Sequence, residues 1–120
     1  MPGLNKGEYG EGIAEGYLKN KGYGILEKRY RCHYGEIDII ARKNETVAFI
    51  EVKLRKTQKS GLAAESVTKS KQRSIIRTAL HYIAKSSGER DIYRFDVIEV
   101  CGREFYDIRH IESAFYADHP

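Results

Sequence analysis

The segment Thr46–Lys53 constrains the fold more than any other part of the chain. It reads Thr-Val-Ala-Phe-Ile-Glu-Val-Lys, so β-branched and aromatic side chains occupy most of its length. A strand of this composition is typically covered on both faces of a sheet. We therefore predict that it is the central strand of a sheet with helices on both sides, and that charged side chains appear only where the strand ends.

The segments around this strand predict an α/β sandwich. Hydrophobic periodicity and helix-ending residues indicate two amphipathic helices, and short apolar runs indicate further strands. The order helix, three strands, helix, strand predicts an αβββαβ core with a central mixed sheet flanked by helices. The helices are predicted over residues 8–20 and from Ser66 or Thr68 to 86–88, the other strands over 23–30, 34–41 and 92–100, and a short edge strand or turn over 104–111.

Length and composition limit the class of protein. With 120 residues and 13.8 kDa the chain has room for one folded core, so residues 1–120 are expected to form a single domain. The longest uninterrupted apolar runs have four residues, whereas a membrane-spanning helix needs roughly 20. The N-terminus lacks the apolar stretch of a signal peptide, so we expect a cytoplasmic protein without a membrane span. Two cysteines, Cys32 and Cys101, are too few for a disulfide framework and are expected to be reduced.

Positive charge is concentrated in the middle of the chain. Residues 42–77 contain ten Lys or Arg and three Asp or Glu, whereas residues 1–41 are balanced and residues 78–120 are acidic. A local excess of this kind attracts a polyanion, and a nucleic acid backbone is the simplest partner. An ordinary solvated surface of Lys and Arg is the alternative interpretation.

Acidic side chains are predicted to meet at the ends of two neighbouring strands. Because side chains alternate along a strand, Glu36 and Asp38 are expected on one face and the isoleucines beside them on the other. In the next strand Glu51 and Lys53 share a face. The polar turn at residues 42–45 is short enough for a hairpin, which places Asp38 alongside Glu51.

This pair of carboxylates suggests a metal site. Two adjacent carboxylates repel, and a hard cation such as Mg²⁺, which accepts one or two carboxylates together with water and phosphate oxygens, removes the repulsion. Lys53 could then orient a water molecule or stabilise charge on a phosphate, as metal-assisted phosphodiester hydrolysis requires. On the first helix Glu11 lies at the margin of the buried face and is a third candidate, whereas Glu15 is placed to pair with Lys19.

Each of these acids also has a purely structural interpretation. Asp38 and Glu36 could form ion pairs with Arg29 or Arg31 on the neighbouring strand. Glu51 and Lys53 could equally be an ordinary pair at the edge of the strand.

Basic residues beside this site are candidates for contacts with nucleic acid. Lys69, Arg73 and Arg77 recur at helical spacing and form one stripe on the second helix. The loop after Lys53 adds Arg55, Lys56 and Lys59. The alternative interpretation is a solvated face for the stripe and a flexible basic loop for the residues after Lys53.

Several short motifs are distributed along most of the chain. They are Gly10-Glu11-x-x-Ala14, Gly22-Tyr23-x-Ile25-Leu26, Tyr30-Arg31, Gly35-Glu36-Ile37-Asp38-x-Ile40-Ala41, Phe49-x-Glu51-Val52-Lys53-x-Arg55, Lys71 and Arg94-Phe95-Asp96-Val97. With these motifs the sequence resembles the YraN-like family of small bacterial proteins from about Gly7 to about Val100, with residues 101–120 as a C-terminal extension. The family is regarded as part of the PD-(D/E)xK nuclease superfamily, which implies a restriction-endonuclease-like three-layer sandwich related to that of archaeal Holliday junction resolvases.

The resemblance implies a role for each candidate at the site. The central acid of the superfamily falls on Asp38, the second acid on Glu51, the lysine on Lys53 and the helix-borne glutamate on Glu11. Asp38, Glu51 and Glu11 would hold Mg²⁺ or Mn²⁺, and Glu36 would support the site from beside it. Lys71 joins the residues expected to bind nucleic acid. Two positions depart from the pattern: Ile37 stands where the superfamily's name has proline, and Arg29 where the family usually has asparagine.

These observations predict a metal-dependent endonuclease that hydrolyses phosphodiester bonds in DNA, more specifically in branched or structured DNA, with DNA favoured over RNA. A nucleic-acid binding module that keeps the fold without cleaving is the first alternative, and a protein-interaction adaptor is the second. A homodimer is expected; a four-way junction would require one, because two symmetric cuts need two sites, whereas a flap or a nick would not. The candidate residues for its interface are Phe105, Tyr106, Ile108 and Ile111.

Overall fold

The computed structural model describes residues 6–55, 67–86, 90–102 and 104–117. It confirms every predicted helix and strand to within a few residues, and it shows a full strand over Asp107–Phe115 where the sequence predicts a short edge strand or turn over 104–111. The elements are α1 Lys6–Asn20, β1 Gly24–Cys32, β2 Gly35–Lys43, β3 Thr46–Arg55, α2 Lys69–Lys85, β4 Ile92–Cys101 and β5 Asp107–Phe115.

The five strands form one mixed sheet in the order β1-β2-β3-β4-β5. β1, β2 and β3 are antiparallel neighbours, β3 and β4 are parallel, and β5 returns antiparallel to β4. Parallel neighbours need a crossover connection, and α2 lies in the connection between β3 and β4. The prediction that Thr46–Lys53 is the central strand is confirmed.

Each face of β3 is buried beneath a different helix. Val47 and Phe49 belong to a core cluster with Ile75 and Ala79 of α2. The alternate residues of the strand, including Ile50, belong to a second cluster with residues of α1. The protein is therefore a sandwich of α1, the sheet and α2, as an apolar strand buried on both faces requires.

The ends of the helices follow from local sequence. The Thr68 side chain accepts a hydrogen bond from Lys71 N–H at 3.1 Å and caps the first turn of α2. α1 is followed by Gly22, whose φ of +95° is a conformation that glycine adopts at low cost. None of the helices in the described ranges is long and apolar enough to cross a membrane.

A buried polar cluster joins β5 to β4. Asp96 is fully buried and accepts hydrogen bonds from Arg94 Nε at 2.9 Å and from Ser113 N–H at 3.1 Å, while His110 Nε2 lies 2.7 Å from its Oδ2. Burial alone would raise the pKa of Asp96, but the bonds from His110, Arg94 and Ser113 outweigh it and lower that pKa. Asp96 is thus a satisfied buried carboxylate at the bulge where β5 meets β4.

Candidate active site

The backbone pairing of β2 and β3 stops next to the predicted acids. The register runs from Lys43 opposite Thr46 to Ile39 opposite Ile50 and does not include Asp38. Instead, the Asp38 side chain accepts a hydrogen bond from Val52 N–H through Oδ2 at 2.8 Å. A side-chain oxygen therefore takes the place of a backbone acceptor, and this bond holds the carboxylate against β3.

The regular alternation of β2 is broken at the same position. Ile37 packs in the core cluster beneath α2, whereas Ile39 packs in the cluster beneath α1. The prediction that Ile37 and Ile39 share one face is wrong. The alternation of side chains between the two faces of the sheet shifts at Asp38, whose side chain turns toward the β3 backbone. Glu36 forms an ion pair with Arg31 at 3.3 Å, which is the structural alternative given for it.

Glu51 is a buried carboxylate with an unsatisfied oxygen. Its relative exposure is 7%, and within the described part of the chain Oε2 has no hydrogen-bond partner. The ammonium of Lys71 lies 3.5 Å from Oε2, close enough for ionic attraction although no hydrogen bond forms. Since a buried carboxylate oxygen without a hydrogen bond is costly, this oxygen is the site's clearest candidate ligand for a metal cation, which would compete with the Lys71 ammonium for it.

The environment of Asp38 favours its protonated form. Burial is the largest cause, and together with the hydrogen bond and charge of Glu51 it raises the pKa of Asp38 to about 8 against the opposing effects of Val52 N–H and Lys71. At neutral pH Asp38 therefore holds a proton that a divalent cation would displace.

Lys53 lies next to this pair. It follows Glu51 by one repeat of β3 and so points to the same face of the sheet. The side chain is half-buried, and among the residues that the structure describes none forms an ion pair or hydrogen bond with its ammonium. Lys53 is thus available to a ligand of the carboxylate pair.

The structure places Glu11 in a different contact. Glu11 Oε1 accepts a hydrogen bond from Arg29 Nε at 2.9 Å, and Glu15 pairs with Lys19 at 2.7 Å as its spacing predicts. Over residues 6–55, 67–86, 90–102 and 104–117, no three side chains of His, Cys, Asp or Glu lie close enough together to hold a metal ion. Asp38 and Glu51 are therefore brought together, while Glu11 is held by Arg29.

The predicted nucleic-acid contacts fall into three groups. Arg55 pairs with Glu99 at 2.8 Å, and Lys71 approaches Glu51. Lys69 and Arg73 are exposed on α2. Lys56 and Lys59 lie outside the described residues.

Two contacts of the site were missed by sequence reasoning. The backbone N–H of Val52 carries no sequence signal, because every non-proline residue has one. The pairing of Arg29 with Glu11 was also missed, because Arg29 was considered as an ion-pair partner only for the acids of β2. The glutamates of α1 were the sequence signal for this pairing.

The candidate residues for a dimer interface have different environments. Phe105 is 89% exposed. Tyr106 packs edge-on against Tyr9, with ring centroids 5.7 Å apart, and Ile108 packs against the core beneath α1. Ile111 is half-buried. Phe105 is thus the most accessible of the four.

Comparison with known proteins identifies relatives along nearly the whole chain. The sequence model of the uncharacterised protein family UPF0102 matches residues 10–100. A UPF0102 protein of Clostridium acetobutylicum is 47% identical over 120 residues, covering 96% of this chain and 98% of the relative. UPF0102 proteins of Clostridioides difficile and Nitrosomonas europaea are 46% and 42% identical, covering 96% and 92% of this chain and 100% and 93% of the relatives. These matches confirm the resemblance to the YraN-like family, and the names of the relatives state no activity.

Proposed function

The chain belongs to the UPF0102 family, and we propose that it is a metal-dependent endonuclease that hydrolyses phosphodiester bonds in DNA. One observation carries the proposal: the half-buried Asp38 and the buried Glu51, from neighbouring strands, form a carboxylate pair in which Glu51 Oε2 has no hydrogen-bond partner among the described residues. The order of the elements and this pair are compatible with a restriction-endonuclease-like fold of the PD-(D/E)xK superfamily, which is part of the proposal.

The donor set suits Mg²⁺ or Mn²⁺. Hard cations prefer oxygen ligands, and Mg²⁺ is commonly held by one or two carboxylates while water and substrate phosphate supply its other ligands. Asp38 and Glu51 would hold the cation, and Glu11 could join them only by exchanging Arg29 for it. When bound, such a cation polarises a phosphoryl oxygen and lowers the pKa of a bound water.

The residues of the chain supply positioning and charge. The bond from Val52 N–H fixes the orientation of the Asp38 carboxylate before any ligand binds, so little reorganisation is needed during the reaction. The ammonium of Lys53, which has no partner among the described residues, can hold a water molecule or stabilise negative charge on the phosphate. The exposed Lys69 and Arg73 on α2 attract the nucleic acid backbone toward the same end of β3.

Cleavage assays test this proposal directly. Plasmid, single-stranded, flap and four-way-junction DNA are incubated with Mn²⁺ and either the wild type, Lys53→Met or a matched control, Lys43→Met. Lys43 is exposed and is the last residue of β2, away from the carboxylate pair. Cleavage of at least one substrate by the wild type and the control, and its loss in Lys53→Met, are expected.

Two other outcomes contradict the proposal. Salt-sensitive binding without cleavage of any substrate would favour a non-catalytic nucleic-acid binding module. Equal cleavage by the wild type and Lys53→Met would place the chemistry at other residues.

A further inference from the structure

The turn between β1 and β2 is held tightly against α2. The strands pair up to Cys32 opposite Gly35, which leaves His33 and Tyr34 as a two-residue turn. The Ser74 hydroxyl donates a hydrogen bond to the Tyr34 carbonyl at 2.7 Å, and a Cβ at Gly35 would collide with Ser74 Oγ. The contact with α2 thus fixes the position of the turn.

Both residues of this turn are exposed and aromatic. The rings of His33 and Tyr34 lie against each other with centroids 4.0 Å apart, and Tyr34 is 45% exposed. Behind them, His33 is 6.5 Å from the ring of His81, whose Nδ1 lies 2.7 Å from the Tyr30 hydroxyl. The exposed pair therefore rests on ordered side chains and presents apolar ring surface to solvent.

Positive charge borders the same surface. The sequence of α2 contains five Lys or Arg and no Asp or Glu. Arg77 follows Ser74 by three residues and precedes His81 by four, so it lies beside the edge of the helix that contacts the turn. Arg73 and Arg77 are both exposed. The aromatic pair is thus flanked by groups that bind phosphate.

The aromatic pair and the carboxylate pair lie close together. Lys71, which approaches Glu51, and Ser74, which contacts the turn, are one turn apart on α2, or about 4.5 Å along its axis. Tyr34 precedes Asp38 by four residues, which corresponds to about 13 Å of strand. A single nucleic acid strand is therefore long enough to contact both the aromatic pair and the carboxylate pair.

We propose that His33 and Tyr34 form a stacking platform for an unpaired base, so that the substrate of the proposed nuclease contains a single-stranded stretch next to the bond that is cut. Aromatic side chains stack on exposed bases regardless of sequence, while nearby cations bind the backbone. Bases inside a duplex are covered by their neighbours and offer no such face. The inference rests on the proposed function and adds the class of substrate.

Binding measurements without divalent metal test the platform apart from cleavage. The affinity of a short fluorescein-labelled single strand, and of the same sequence as a blunt duplex, is measured by anisotropy for the wild type, Tyr34→Ser, Tyr34→Phe and Tyr116→Ser. Tyr34→Phe keeps the ring, and Tyr116 is a control tyrosine that is 73% exposed just after β5. Thermal unfolding of each variant verifies that it is folded.

The expected result is selective. Tyr34→Ser weakens single-strand binding roughly 5- to 150-fold, the range expected for one stacked base, and leaves duplex binding within about twofold. Tyr34→Phe and Tyr116→Ser bind both probes as the wild type does. Single-strand binding that Tyr34→Ser does not weaken, or an equal loss for both probes, overturns the platform.

Failure of the platform and failure of the nuclease proposal give different results. A wild type that cuts duplex DNA in Mn²⁺ but binds no single strand contradicts the platform alone. A wild type that shows the Tyr34-dependent preference but cuts no substrate contradicts the nuclease alone.

Discussion

Replacing Asp38 with Asn tests the energetics of the carboxylate pair, because Asp38→Asn removes the titrating group and keeps its shape. The new amide oxygen can still accept the bond from Val52 N–H. In the wild type, burial followed by the interactions with Glu51 raises the pKa of Asp38 from 3.8 to about 8. The raised pKa means that protonated Asp38 stabilises the folded protein. This contribution to the free energy of unfolding is fully present below the pKa of the unfolded state and is lost as the pH rises through the pKa of the folded state.

The magnitude follows from the pH interval between these two values. Between the two pKa values, each pH unit lowers the free energy of unfolding of the wild type by about 1.4 kcal/mol. Over the interval from about pH 4 to pH 7 this loss is therefore at most about 4 kcal/mol. We expect the stability of Asp38→Asn relative to the wild type to grow by about 2–4 kcal/mol over this interval.

Urea unfolding followed by circular dichroism, with EDTA present, measures this difference at several pH values. Asp91→Asn is the matched control, since Asp91 accepts two hydrogen bonds from Arg42 at 2.9 and 2.8 Å, and the bond to Arg42 lowers its pKa. Because the lowered pKa of Asp91 places its titration below about pH 4, the stability of the control relative to the wild type should stay nearly constant from about pH 4 to pH 7. A stability difference for Asp38→Asn that stays constant or falls with rising pH refutes the reasoning.

Three further predictions concern ligands and assembly. Calorimetric titration with Mn²⁺ is expected to show binding by the wild type that the double variant Asp38→Ala, Glu51→Ala lacks; equal binding by both would place the metal elsewhere. Duplex DNA affinity is expected to fall with salt at a log–log slope of about −0.9 per phosphate contact, and Arg73→Gln to reduce that slope by about one contact; salt-independent behaviour would favour a protein adaptor. Light scattering at micromolar concentration is expected to give the mass of a homodimer, and a monomer mass would remove paired cutting of a four-way junction.

Sequence pattern alone determined the elements and the meeting of the two acids. Period-two and helical periodicities are local properties, so α1, α2 and the strands were predictable without tertiary information. The apolar run of β3 required cover on both faces and hence the central position. The short turn after β2 set a hairpin register that runs to Ile39 opposite Ile50 and brings the next residue, Asp38, close to Glu51.

Only the tertiary structure decided how the remaining side chains are used. Lys71 reaches Glu51, and Glu11 pairs with Arg29, because of the way the helices lie across the sheet. The departure of Asp38 from the ladder depends on the point where β2 and β3 separate. Periodicity states which face of an element is buried but leaves open its direction and position on its neighbour. Contacts between residues far apart in the chain are therefore set by packing.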